Sequence, residues 1–188
     1  MLDKELINKN IIYVFSNASP NENLDEDDKE FAKFICEPKD DLQEEINNKI
    51  KNLAKNYGIQ HFRFDDKVFK KDAEPNDKLF KKYFELLKNS YKPTDVLFTN
   101  SNNFKKYAIK QLGLQTIDCN GKICNISHIG HSNDQESVKN SFVEFFILQK
   151  SSYIKTHSCY YWVSNFVKWP ALIYDIPLEN TYVDEKSL

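Results

Sequence analysis

Three short stretches carry residue types that can do chemistry. In His61-Phe62-Arg63-Phe64-Asp65-Asp66, the alternation of an extended strand puts His61, Arg63 and Asp65 on one face and Phe62 and Phe64 on the other. A guanidinium there can clamp a phosphate through two parallel hydrogen bonds, which the point charge of a lysine cannot copy. A structural ion pair between Arg63 and a nearby carboxylate is the competing reading. Thr99-Asn100-Ser101 ends an apolar run and precedes a helical pattern, a place suited to anion or hydroxyl binding at a helix N-terminus, or to plain capping. Thr156-His157-Ser158 reads the same way, as a strand passing into a helix N-terminus whose N–H groups and hydroxyls could hold a phosphate. Ser158 beside His157 makes no nucleophile–base pair, because adjacent residues rarely face each other and no G-x-S-x-G turn is present. Cys119, Cys124, His128 and His131 form C-x4-C-x3-H-x2-H in one loop. Such soft ligands suit tetrahedral zinc, but the spacing matches no standard finger, so a metal-free surface loop is the preferred reading. Tyr160-Tyr161-Trp162 could stack on a sugar or a base, although packing on a helix against a sheet is the commoner fate of such residues.

The elements that must position these residues alternate between strand and helix patterns. Strands are expected at Ile11 to Phe15, Ile59 to Phe64, Asp95 to Thr99, Leu114 to Asp118, Ser152 to Thr156 and Ala171 to Tyr174. Helices are expected from the acidic cluster Asp25 to Asp28 through Ile35, then at Asp40 to Tyr57 with Gly58 ending it. Others follow at Asp77 to Asn89, after the N-cap Ser101 to Gly113, at Glu136 to Gln149 and at Cys159 to Trp169, with Trp169-Pro170 closing the last. The segment from Cys119 to Asn133 reads as a loop. This alternation predicts one α/β domain over residues 1–188, a Rossmann-like parallel sheet with helices on both faces. Ligands in such sheets sit at the carboxyl ends of the strands, where the three polar stretches fall.

Composition narrows the classes. The chain has 26 basic and 28 acidic residues, which argues against a nucleic-acid partner. No apolar run approaches the roughly 20 residues of a membrane span, and the polar start from Met1 to Asn10 has no signal-peptide pattern. Four cysteines without secretory context read as reduced thiols of a cytoplasmic protein. Arg63 is the lone arginine among the 26 basic residues. A chain that uses lysine almost everywhere marks Arg63 as a position where lysine does not serve.

Taken in order, these pieces resemble the α1,2-, α1,6- and protein O-fucosyltransferase superfamily. His61-x-Arg63-x-x-Asp66 is similar to its H-x-R-x-G-D motif. Val96-Leu97-Phe98-Thr99-Asn100-Ser101 is similar to its second motif, a strand ending in a Thr-Asp-Ser-like turn. Glu144 to Trp162 resembles its third block, with Glu144, Thr156, Ser158 and Trp162 in comparable places. The likeness spans roughly residues 57 to 176 and departs at Asp65, where the family has Gly, and at Asn100, where Asp is common. It implies one half of a GT-B glycosyltransferase that is inverting and metal-independent, taking GDP-fucose or a related nucleotide sugar and a glycan or protein acceptor. Arg63 would stabilise the leaving diphosphate, with His61 orienting the donor and Asp66 and Glu144 as acidic candidates for the base. Thr99, Asn100, Ser101, His128, Glu144, Thr156, His157 and Ser158 would line the donor site. Residues 1–56 are too few for an acceptor domain, so a missing N-terminal acceptor domain or another chain is expected to supply it. The alternatives are a non-catalytic nucleotide-sugar-binding module, which Asp65 and the short length favour, and the small zinc domain.

Overall fold

The computed structural model describes residues 24–119, 122–123, 135–185 and 188. Its centre is a four-stranded, wholly parallel sheet. The strands are β1 (Ile59–Arg63), β2 (Val96–Thr99), β5 (Ile154–Ser158) and β6 (Leu178–Tyr182), in the spatial order β2-β1-β5-β6. Gln115 adds one parallel bridge to Val96 on the outer edge of β2. Across the sheet, chain order therefore runs third, second, first, fourth, fifth, the order of the first five strands of a doubly wound fold. The fold is α/β and Rossmann-like, as the alternating pattern predicts. β3 (Asp118–Cys119) and β4 (Lys122–Ile123) form a separate antiparallel pair.

Six α-helices occur among the described residues: α1 (Glu26–Ile35), α2 (Asp40–Ile50), α3 (Lys78–Ser90), α4 (Asn102–Leu112), α5 (Gln135–Leu148) and α6 (Asn165–Ile173). They cover both faces of the sheet because its side chains alternate. Ile59, Val96, Phe98 and Ile154 point into one core with Ile46 of α2, Val143 and Ile147 of α5, and Val167 of α6. Phe62, Phe64 and Leu97 point into the other with Leu79, Phe80 and Tyr83 of α3 and Phe104 and Ala108 of α4. That second core is largely aromatic. Phe64 meets Tyr83 at 4.8 Å and Phe104 at 5.2 Å, both edge to face. Caps behave as their sequences dictate: Asp25 accepts from the Asp28 N–H, Ser101 accepts from the Phe104 N–H, and Gly113 closes α4 at φ 65°.

Several expected boundaries move. The helix expected over Asp40 to Tyr57 stops at Ile50. Tyr57 is instead a core residue just before β1, where its hydroxyl donates to the Ile147 carbonyl at 2.6 Å. Gly58 is therefore no helix cap. Its bare Cα lies under the Tyr153 ring, and an added Cβ would stand 2.2 Å from Tyr153 Cζ. The strand expected at Leu114 to Asp118 reduces to the Gln115 bridge. The helix expected from Cys159 to Trp169 begins only at Asn165, and it runs through Pro170 to Ile173, so the strand expected at Ala171 to Tyr174 is not formed. The apolar run around Pro170 is a buried helical turn, which short apolar segments cannot distinguish from strand. The last strand, Leu178–Tyr182, is an edge whose side chains are half-buried or exposed, so it carries no hydrophobic signal and its polar residues protect the open edge. The strand expected at Ile11 to Phe15 lies outside the described residues.

Candidate functional site

Because β1 is followed in sequence by β2 on one side and pairs with β5 on the other, the direction of strand order reverses between β1 and β5. Crevices at such reversals, beyond the carboxyl ends of the strands, are where doubly wound domains bind ligands. Arg63 ends β1 opposite Ser158, which ends β5.

Arg63 is half-buried, its guanidinium paired with the Asp66 carboxylate and lying 5.9 Å from the centre of the Tyr160 ring. The Asp66 N–H donates to the Tyr160 hydroxyl at 3.2 Å. Asp65 caps the short 3₁₀ turn Asp66–Phe69 by accepting from the Lys67 N–H at 2.7 Å. The connection after β1, residues 64–77, contains no glycine. It is therefore not the glycine-rich phosphate loop of dinucleotide-binding domains. The ion pair that competes with the phosphate clamp is present in this structure, and it gathers cation, carboxylate and aromatic ring at one point.

His61 lies one pleat below Arg63 and is 2 % exposed. Its Nδ1 is hydrogen-bonded to Thr156 Oγ1 at 2.7 Å, and its ring stacks near Phe166. Burial, reinforced by the nearby Arg63 charge, lowers its pKa to about 3. His61 and Thr156 thus form a neutral pair beneath the site that fixes the two central strands at their carboxyl ends. His157 faces the other core, stacked on Phe62 at 4.5 Å. Its ring nitrogens have no hydrogen-bond partner among the described residues, and burial lowers its pKa to about 4. The Ser158 hydroxyl accepts from the Tyr160 N–H at 3.0 Å. Since α6 starts at Asn165, Thr156, His157 and Ser158 are strand residues rather than part of a helix N-terminus.

The turn after β2 is committed to structure. The Asn100 side chain makes two bonds to Phe64: the Phe64 N–H donates to Oδ1 at 2.8 Å, and Nδ2 donates to the Phe64 carbonyl at 3.0 Å. An amide extends the parallel ladder by one rung in both senses, which an ionised carboxylate, accepting only, cannot do. Thr99 Oγ1 accepts from the Ser101 N–H at 3.2 Å. The N-terminus of α4 already holds an anion: Asp72 accepts from the Ser101 hydroxyl at 2.6 Å and from the Asn103 N–H at 2.9 Å. Nothing in the sequence announces Asp72, which arrives from a loop some thirty residues earlier.

Glu144 and Lys105 form an ion pair of 3.1 Å with both side chains inaccessible. Burial holds the Glu144 carboxyl above its usual range while Lys105 opposes that shift. Glu144 Oε2 has no hydrogen-bond partner among the described residues. The pair ties α4 to α5 and does not open onto the Arg63 surface. His128 lies outside the described residues, as do Cys124 and His131 of the zinc arrangement. No cluster of three metal-ligating side chains occurs among the described residues.

Sequence reading places Tyr160, Tyr161 and Trp162 on a helix against the sheet. They occupy bends after β5 instead, with Tyr161 79 % and Trp162 50 % exposed. The Tyr160 and Trp162 rings stack at 4.6 Å with 21° between planes, and Tyr161 stands perpendicular to Trp162.

Compared with known proteins, the chain matches no family model and no curated sequence. No helix among the described residues is long and apolar enough to cross a membrane.

Proposed function

We propose that this domain binds a nucleotide sugar at the carboxyl ends of β1 and β5 and serves as the donor half of a metal-independent, inverting glycosyltransferase. GDP-fucose is the donor that the motif resemblance points to. The observation that carries the reading is the placement of the chain's lone arginine at the strand-order reversal, half-buried and within reach of solvent. In this reading the donor diphosphate replaces the Asp66 carboxylate on the guanidinium. As an acceptor hydroxyl attacks the sugar carbon, the bond from that carbon to the diphosphate oxygen breaks. Arg63 stabilises the charge that builds on the leaving phosphate, an effect of order several kcal/mol in such sites. Asp66, released from Arg63, takes the hydroxyl proton as general base. His61 contributes by holding β1 to β5 through Thr156, beneath the donor rather than against it.

A second reading, a binding module without transfer activity, is favoured by Asp66, which already neutralises Arg63, and by Asp65 in place of the family's glycine. Calorimetric titration of GDP, GDP-fucose and UDP into wild type and Arg63→Lys tests the common part. Binding of GDP that weakens at least tenfold in Arg63→Lys, about 1.4 kcal/mol, is expected. Absence of nucleotide binding, or equal binding by the two proteins, overturns both readings. Release of fucose to water or to an acceptor then separates enzyme from module.

A further inference from the structure

We infer that Tyr160, Tyr161 and Trp162 form a stacking platform for a neutral hexopyranose ring, the sugar of a glycan acceptor, which builds on the glycosyl-transfer reading and adds its acceptor side. Exposed aromatic rings usually lie singly and mobile on a protein surface, or are covered. These are held. The Tyr160 N–H is fixed by Ser158 Oγ, its hydroxyl accepts from the Asp66 N–H, and its ring lies against the Arg63 guanidinium. Trp162 then stacks on Tyr160, and the Tyr161 ring lies perpendicular to Trp162 at 4.6 Å. Anchoring rings in place while leaving Tyr161 79 % and Trp162 50 % exposed removes in advance the entropy that a ligand would otherwise lose on ordering them.

The charges nearby select the occupant. Asp66 faces Arg63 at the base of the platform. Asp66 sets a carboxylate beside the rings, and the guanidinium next to it is already paired with that carboxylate. Carboxylates beside apolar rings suit a ring with an apolar face and hydroxyls at its edge: the face covers Trp162 and the hydroxyls donate to the carboxylates. A nucleobase can stack on the same rings and donate N–H groups to a carboxylate, and the guanosine arm of the test below reports that occupant.

Saturation-transfer NMR and titration with the methyl glycosides of galactose, glucose, mannose and N-acetylglucosamine, with guanosine as the flat-ring control, tests the platform without any nucleotide sugar. At least one glycoside is expected to bind, with affinity at least tenfold weaker in Trp162→Ala and retained in Trp162→Phe. Trp162 is half exposed, so its loss should leave the fold intact, checked by circular dichroism. The platform is refuted if none of the glycosides binds, if Trp162→Ala binds as wild type, or if guanosine alone binds. GDP titration of the same proteins keeps the two ideas apart. GDP binding without glycoside binding removes the platform and leaves the donor site, and glycoside binding without GDP binding does the converse.

Discussion

His61 and His157 stand on adjacent strands with their rings in opposite cores, and both are neutral at physiological pH because burial penalises the imidazolium. Their folded pKa values, about 3 and about 4, lie below the ordinary 6.5. Between those values and 6.5 the unfolded chain binds protons that the native state refuses, so stability rises with pH in that window. The contribution is fully present above pH 6.5 and is lost as acid approaches the folded values. At pH 5 each buried histidine lowers stability by up to about 2 kcal/mol relative to pH 7. Urea unfolding at the two pH values should show this loss. His157→Phe should recover part of it, since phenylalanine can keep the stack on Phe62 and leaves no buried nitrogen unpaired. An unchanged pH slope in His157→Phe would mean that the ring is hydrated or protonated in the native state. Asn100 follows similar logic without titrating. Its amide answers both backbone groups of Phe64, so an asparagine here has a structural cause at the end of β2.

At the scale of elements, the approach of Tyr153 to the start of β1 is the tightest joint. Gly58 has no room for a methyl group beneath that ring, while Tyr153 is also held by its hydroxyl bond to Asp95. Gly58→Ala must push the ring away and should cost about 1–3 kcal/mol, the range for overpacking. Gly113→Ala meets nothing within 4 Å but keeps φ at +65°, so its cost of about 1–2 kcal/mol is backbone strain alone. A double-mutant cycle with Tyr153→Ala distinguishes the two. Gly58→Ala should be much less costly once the ring is gone, and Gly113→Ala should be indifferent to it. This joint also shows where sequence reading stops. The alternating strand patterns and the caps at Asp25, Ser101 and Gly113 are local, and the α/β architecture follows from them. Gly58 after a run of apolar periodicity looks like a helix end, because its actual reason, the Tyr153 ring, comes nearly a hundred residues later. The same holds at the site. Arg63 and Asp66 are three apart and their pairing is legible. Asp72 filling the α4 N-terminus and Tyr160 bridging to the β1 turn are products of tertiary folding. β6 pairs through its backbone and announces nothing in its side chains.

For the whole molecule, the order of strands favours the carboxyl ends of the sheet for the proposed nucleotide site. A cavity of about 300 Å³ lined by Lys92, Tyr153, Lys155, Leu178 and Glu179 lies near the amino ends of β5 and β6. Judged on volume alone it would compete with the Arg63 surface for the role of binding site. The topology argues otherwise. Only at the carboxyl ends do the connections from β1 and β5 diverge to opposite faces of the sheet, the arrangement that leaves a crevice in doubly wound folds, and there Arg63, Asp66 and Tyr160 meet. Hydrogen exchange in the presence of GDP reports the choice directly. Slower exchange is expected at amides 64–67 and 158–162, which form the turn after β1 and the end of β5 with the bends that follow it. The amides of Tyr91, Lys92, Thr94, Asp95, Leu178 and Glu179, around the cavity at the opposite end, should exchange at the same rate with and without nucleotide. Protection confined to that opposite end would place the ligand where no side chain discussed for transfer can reach it, and would detach Arg63 from binding altogether.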